Sequence, residues 1–508
     1  MSFSSPRFLV FLAASLVVIG LLGSREAKKR ALAAASCLFY AAWDWRYLGL
    51  LLAFVLIGFA SARRMESAAS AAGRKAWLWL SICSSLGFLG WFKYYDFFIG
   101  SANALLRRFG LEAPGLAILL PVGISFYAFN SIAFAIDTYY RRVQPACQWL
   151  DYFNMITFFP ALLGGPIVRG ANFLPQMGRD IGPTKSRLVL GGGIFLQGLA
   201  KKMLLADRLA TISNPIFADP QIYSTASVWL GLLAYSLQIY CDFSGYSDMA
   251  IGTAKMIGFD LPENFNLPYL STNIAEFWRR WHISLSTWFR DYVFLPLAYA
   301  SSRRLDRMGL SARKGNMASY TGATLLTMLL CGLWHGAGWT FVLWGGLHGA
   351  ALVVHRSRLQ AKGRKKRARS PVASWLATQL FVTLAWVLFR SPSLATASIV
   401  YKKLFGMGGA GAKWIPEWFF WCLPLIVLGQ GVGVLLARLK RGGKGRLNEG
   451  FIGVLSWLGW GMDENVASGL YLRIKKVTIL GSYALIFWMM VVFYFSPTQT
   501  SPFIYFNF

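Results

Sequence analysis

Charge is scarce in this sequence. Only 14% of its 508 residues are Asp, Glu, Lys or Arg, where a soluble chain carries about a quarter. Acidic residues are the scarcer sign, 21 against 51 Lys and Arg. The six cysteines (Cys37, Cys83, Cys147, Cys241, Cys331 and Cys422) form no Cys-x-x-Cys pair and lie mostly in apolar stretches. That spacing argues against a disulfide framework or a structural zinc site, so the thiols read as small buried hydrophobes. No polar stretch is long enough to fold around its own core, which excludes a soluble domain. No internal repeat is found either.

What fills the sequence is apolar. Hydrophobic residues make up 56% and aromatic residues 16%, which places the chain among membrane proteins. A crossing helix needs roughly 20 apolar residues, because the hydrocarbon is about 30 Å thick and each residue rises about 1.5 Å. Candidate spans lie near 8–23, 31–43, 47–62, 76–98, 116–138, 151–168, 188–206, 226–257, 318–334, 339–355, 372–390, 418–437 and 478–495. Several are short, and several carry Gly, Pro or charge at the centre. Such interrupted helices persist only where the freed backbone is buried in protein or lines a wet cavity. The expected fold is therefore all-α: one polytopic membrane domain, residues 1–508, of roughly 11 to 13 helices with re-entrant and interfacial pieces. Its motif-bearing core covers about 116–355.

The net charge of +30 would suggest a polyanion partner in a soluble protein. Here the basic residues fall in short runs between spans, the pattern of cytoplasmic loops, so the partner expected is the bilayer and no nucleic acid. The runs are residues 25–30, Arg63 to Lys75, Arg303 to Lys314, Arg356 to Arg369, Arg438 to Arg446, and Arg473 with Lys475 and Lys476. Placing them inside puts both termini outside the cytoplasm, together with the Asp44-Trp45-Arg46 loop and the segment 391–417. The middle, 141–300, does not parse cleanly. The first apolar run, Phe8 to Gly23, has its basic cluster after it rather than before, so it reads as a retained span and not a signal peptide.

Ionisable residues at membrane depth are expensive and tend to be functional, which directs attention to the four histidines, His282, His335, His348 and His355. His335 sits in Cys331-Gly-Leu-Trp-His-Gly-Ala-Gly-Trp339, between two apolar runs. Its glycines permit close backbone approach and a helix break, and a neutral imidazole there is a natural general base. His282 follows Arg279 and Arg280 in an amphipathic aromatic pattern. That stretch reads either as an interfacial helix or as the wall of a donor channel, with the arginines available to phosphates. His348 reads as a packing residue, and His355 opens a basic loop. Cys331 and His335 share a helix face and could form an acyl-thioenzyme, but nothing marks Cys331 as activated. Asp242, Tyr246 and Asp248 lie in a polar segment between apolar runs. The two carboxylates need partners, such as an arginine or backbone amides, and either orient a base, line a cavity or form a structural network.

Taken together, Pro121–Tyr127, Asp151–Gln176 with its Gly-Gly-Pro-Ile, Tyr240–Gly252, Pro262–Leu297 with Arg-Arg-Trp-His-Ile-Ser, Gly332–Gly349 and the closing Pro502-Phe-Ile-Tyr-Phe-Asn-Phe resemble the membrane-bound O-acyltransferase family. The bacterial branch that acetylates alginate and D-alanylates teichoic acid is the nearest in pattern. The resemblance covers about residues 8–500. It implies a ring of helices around a thin, partly hydrated centre in a bacterial inner membrane. It also implies acyl transfer from a cytoplasmic thioester to an extracytoplasmic acceptor, in O-acetylation of an exopolysaccharide. His335 matches the family's catalytic histidine and His282 its second functional one, while Trp334, Arg279, Arg280, Asp242, Tyr246 and Asp248 are candidates for substrate contact. Acetyl-CoA is expected as donor substrate, with no bound cofactor and no metal, and an extracytoplasmic SGNH-hydrolase-like partner is expected to complete the transfer. Competing readings are a transporter, which the lack of matching interrupted segments in the two halves disfavours, and a non-catalytic assembly scaffold.

Overall fold

The computed structural model describes residues 1–116, 118–143, 148–361, 370–414, 416, 419, 490, 492, 494 and 502–504. The expected spans 418–437 and 478–495, and the basic runs between them, lie essentially outside these residues, as does most of the Arg356–Arg369 loop. The described secondary structure is helical, with no strand among the described residues, so the all-α expectation holds. Among the described residues, four helices are long and apolar enough to cross a membrane: Arg25–Ser67, taken across its tight turn, Lys185–Ala218, Ala312–His335 and Pro371–Arg390. Large apolar side chains such as Leu21, Leu326 and Leu380 face outward, as expected of a chain whose solvent on that side is lipid.

The chain forms two compact units. The first comprises Met1–Phe195 with Met249–Pro262. Its helices Arg25–Asp44 and Leu48–Ser67 are joined by a single 3₁₀ turn, Trp45–Tyr47. The Asp44 carboxylate caps that turn by accepting from the Arg46 amide at 3.0 Å and pairs with the Arg46 guanidinium at 2.6 Å. Lys29, expected in a basic loop, is instead buried on the first of these helices. It pairs with Asp151 at 2.7 Å and Glu26 at 3.2 Å, because an unpaired ammonium there would forfeit its hydration. The helices are interrupted at two glycine-bearing segments. Gly123, at φ +81°, precedes the helix Ile124–Tyr139, and a Cβ there would strike the Leu162 carbonyl oxygen. After the short helix Phe159–Leu162 the chain runs irregularly to Gly170.

The second unit comprises Leu196–Asp248 with Glu263–Phe508 and holds His282, His335 and His348. Its helices Ala312–His335 and Trp339–Ala361 meet backbone to backbone. A Cβ on Gly332 would land on the Phe341 carbonyl, and one on Gly345 on the Met328 carbonyl. Small residues let helices approach this closely where no hydrophobic effect drives them together. On Ala312–His335, Leu326, Leu329 and Leu330 face out, while Thr324, Thr327, Cys331, Trp334 and His335 are buried. That polarity, apolar outside and mixed inside, suits a helix in lipid with a functional interior.

Candidate active site

The site is assembled from the ends of helices. His335 is the last residue of Ala312–His335, which Gly336 terminates in extended backbone at φ −162°. The ring is 2% exposed and sits among aromatic faces. Ring centroids lie at 4.9 Å for Trp334, 5.1 Å for Trp344 and 5.1 Å for Phe389, all steeply inclined to it. His282 lies 6.4 Å away, centroid to centroid. The two histidines singled out in the sequence are therefore neighbours, although 53 residues separate them.

His282 is held differently. It joins the short helices Ile274–Arg280 and Ile283–Phe289, and its backbone is left-handed at φ 43°, ψ 55°. A non-glycine residue adopts that conformation only when its surroundings impose it. The restraint is Asn264. Its carbonyl oxygen Oδ1 accepts from the Ser284 amide at 3.2 Å and the Ser284 hydroxyl at 2.9 Å, and contacts His282 Nδ1 at 3.0 Å. Its Nδ2 donates to Ser247 Oγ at 3.1 Å, and its backbone carbonyl accepts from the Ile283 amide at 2.9 Å. An oxygen facing Nδ1 fixes the tautomer, with the proton on Nδ1 and the lone pair on Nε2. Phe243 packs edge-on against the same imidazole at 4.5 Å.

The polar segment Gln238–Asp248 runs along the helix Thr225–Ile257. Asp242 is buried and pairs with Lys202 at 2.7 Å. Lys202 also pairs with Asp207 at 2.8 Å, making a buried triad of one cation and two carboxylates. Asp248 pairs with Lys201 at 2.6 Å. Both lysines lie on a π-helical stretch, Lys201–Ala206, so the charged partners of the two aspartates are lysines rather than an arginine. One backbone amide does contribute: Ile504 donates to Asp242 Oδ2 at 2.8 Å, and the preceding Phe503 ring stacks on Tyr246 at 4.1 Å.

The two arginines before His282 diverge. Arg280 pairs with Glu276 at 2.9 Å and donates to the Asn266 carbonyl at 3.2 Å, so it braces its own helix. Burial alone would raise the Glu276 carboxyl, but the Thr272 amide and hydroxyl and the Arg280 charge outweigh it and hold the carboxyl below the ordinary glutamate range. Arg279 is exposed. Trp334 is buried against both histidines, 6.0 Å from the His282 ring. Among the described residues, no group of three or more His, Cys, Asp or Glu is placed to hold a metal ion.

Sequence reasoning missed Asn264, Lys202 and Asp207. Asn264 lies in an irregular segment with no periodic signal, while the two others close an apolar run where a charge reads as a helix end. The one available cue was that Asp242 needed a countercharge.

A profile described as the membrane-bound O-acyltransferase family matches residues 146–391. The chain is 39% identical over 412 residues to the "probable alginate O-acetylase" of Azotobacter vinelandii, covering 80% of this chain and 79% of that one. It is 35% identical over 401 residues to the peptidoglycan O-acetyltransferase of Helicobacter pylori, covering 74% and 73%. With the teichoic acid D-alanyltransferase of Streptococcus thermophilus the identity is 28% over 316 residues, 59% of this chain and 74% of the relative.

Proposed function

This chain belongs to the membrane-bound O-acyltransferase family, and within that chemistry we propose that it moves an acetyl group from a cytoplasmic thioester, acetyl-CoA, to an acceptor outside the cytoplasm, for O-acetylation of an alginate-like exopolysaccharide. The observation that carries the reading is the pairing of two buried imidazoles, 6.4 Å apart, at the end of a helix able to cross a membrane. His335 takes the proton of the acceptor hydroxyl as its oxygen attacks the thioester carbonyl. The C–S bond then breaks, and the thiolate leaves with that proton. A positioned base accounts for about 10² to 10⁴-fold, and orientation must supply much of the rest. His282, its tautomer set by Asn264, turns the Nε2 lone pair to the donor side, and Trp334 closes the space between the two rings. Arg279, exposed at the start of this region, meets the donor's phosphates. Tyr246 and the Asp242 and Asp248 pairs hold the wall behind Phe243.

The acceptor hydroxyl belongs to a partner protein or a sugar. An SGNH-hydrolase-like partner outside the cytoplasm completes transfer to the polymer, and both termini lie on that side of a bacterial inner membrane. The alginate-type relatives support this acceptor class. A 35% identical peptidoglycan O-acetyltransferase supports a second, in which the acceptor is the cell-wall glycan. The test is the full chain in lipid vesicles with acetyl-CoA outside or inside, scored for CoA release and for ester on alginate, on peptidoglycan fragments or on a partner serine. Transfer that is sided and lost in His335→Ala is the expected result. Unmodified solute crossing the vesicle, or full transfer by the alanine variant, would remove the reading.

A further inference from the structure

The helix Trp339–Ala361 places Trp344 and His348 one turn apart on the same face. Both are fully buried, at 0% exposure. Trp344 lies 5.1 Å from the His335 ring and 4.7 Å from His348, centroid to centroid. His348 has its Nδ1 occupied as an acceptor, because Trp278 Nε1–H donates to it at 3.3 Å. A neutral imidazole that accepts at Nδ1 carries its proton on Nε2. Within this aromatic box the Trp344 Nε1–H and the His348 Nε2–H meet no acceptor among the described residues. Buried donors are paired as a rule, and an orphan points to a group that arrives later. The sequence alone suggested packing for His348, and packing leaves this pair unexplained. A packing role is served equally well by phenylalanine and leucine, which carry no donor to desolvate.

We propose that Trp344 and His348 are the oxyanion donors of the acyl transfer, receiving the carbonyl oxygen of the thioester as it gains charge. This rests on the acyltransferase reading of His335 given above. As the acceptor oxygen attacks, the carbonyl π pair moves onto oxygen and is held by the two N–H groups, while the hydroxyl proton passes to His335. Collapse restores the C=O bond, expels the thiolate and returns the proton to sulfur, so charge and protons balance without a further reactant. Fixed donors in a site closed to water stabilise such charge without reorganising. Trp278 acts through His348 by fixing its tautomer and is a positioning residue. Close contact at Gly332 and Gly345 brings the donor-bearing helix against the one that ends at His335.

The experiment uses the full chain in lipid nanodiscs with acetyl-CoA and measures kcat and KM for transfer. Trp344→Phe and His348→Leu should each lower kcat by about 10² to 10³-fold, with KM for acetyl-CoA changed less than about threefold. His348→Gln, whose side-chain amide can present an N–H near the position of Nε2, should recover at least about tenfold over His348→Leu, a rescue no packing role provides. Should the leucine variant fold poorly, replacing Trp344 with benzothienylalanine exchanges only the N–H for sulfur and keeps the ring. Wild-type kcat in that variant, or equal kcat in the Gln and Leu variants, would overturn the proposal. An active wild type with unaffected variants sinks this donor assignment alone. A wild type that releases no CoA, or a fully active His335→Ala, sinks the acyltransferase reading and this proposal with it.

Discussion

His282 and His335 are close neighbours in opposite kinds of surroundings. His282 is fixed through its hydrogen bond to Asn264, on a polar shelf where a single amide oxygen gathers contacts from His282 and Ser284. His335 is fixed by ring faces, with Trp334, Trp344 and Phe389 around it. The first arrangement sets a tautomer and an angle. The second packs the imidazole among aromatic faces that keep water out, the setting that the proposed proton transfer calls for. Two histidines of one site can thus be anchored for different purposes, and substitution should separate them.

The largest separation is expected at His335. Replacement by alanine should lower acetyl transfer by about 10²-fold or more while leaving membrane insertion and the melting temperature in detergent near wild type, because the role proposed for the imidazole is chemical. A matching collapse of the melting temperature would erase the contrast. Next comes the support behind the shelf. Lys202→Met leaves Asp242 and Asp207 buried beside each other without their cation. Removing one partner of a buried pair costs about 3–5 kcal/mol, so thermal unfolding should show a large loss of stability, and transfer by the surviving folded fraction should be closer to normal than in His335→Ala. Asn264→Ala should follow, at about 1–3 kcal/mol for the donors it leaves unmet, with a fall in activity from a His282 free to change tautomer. Nitrogen chemical shifts of labelled His282 would report that change directly, and a tautomer unchanged in the variant would refute the anchoring role.

The smallest effect belongs to Glu276→Gln. Its pair with Arg280 on one helix face contributes about 0.3–0.5 kcal/mol, so a stability change above about 1 kcal/mol would mean that this helix matters more to the site than its pairing suggests. The pair also predicts a pH sign. The folded carboxyl sits below its ordinary value, so its contribution is present at neutral pH and is lost as acid brings the pH down through the lowered value.

Much of this was legible in the chain, and the reasons divide along physical lines. The scarcity of charge announced lipid as solvent, and apolar windows such as 226–257 and 372–390 match the helices Thr225–Ile257 and Pro371–Arg390 almost residue for residue. The glycines around His335 announced a helix end, and it is there. What the pattern could not give was pairing at a distance. Lys202 meets Asp242 from a neighbouring helix, and no periodicity encodes which buried cation answers which carboxylate. Lys29 looked like loop charge because three basic neighbours surround it, yet Asp151 draws it inside. Asn264 lacks any local signature, since its importance lies wholly in what folds around it.

The π-helical stretch Lys201–Ala206 bears on how this chain tolerates length change. One surplus residue is looped into that turn, so that Lys202 and Asp207, five apart, stack as residues four apart do in a regular helix. Deleting a single residue there would restore a regular helix and bring Lys202 and Asp207 to a spacing of four, which still holds them on one face. The turn therefore absorbs a one-residue change of length locally, and a deletion within it that spares Lys202 and Asp207 should leave their pair aligned.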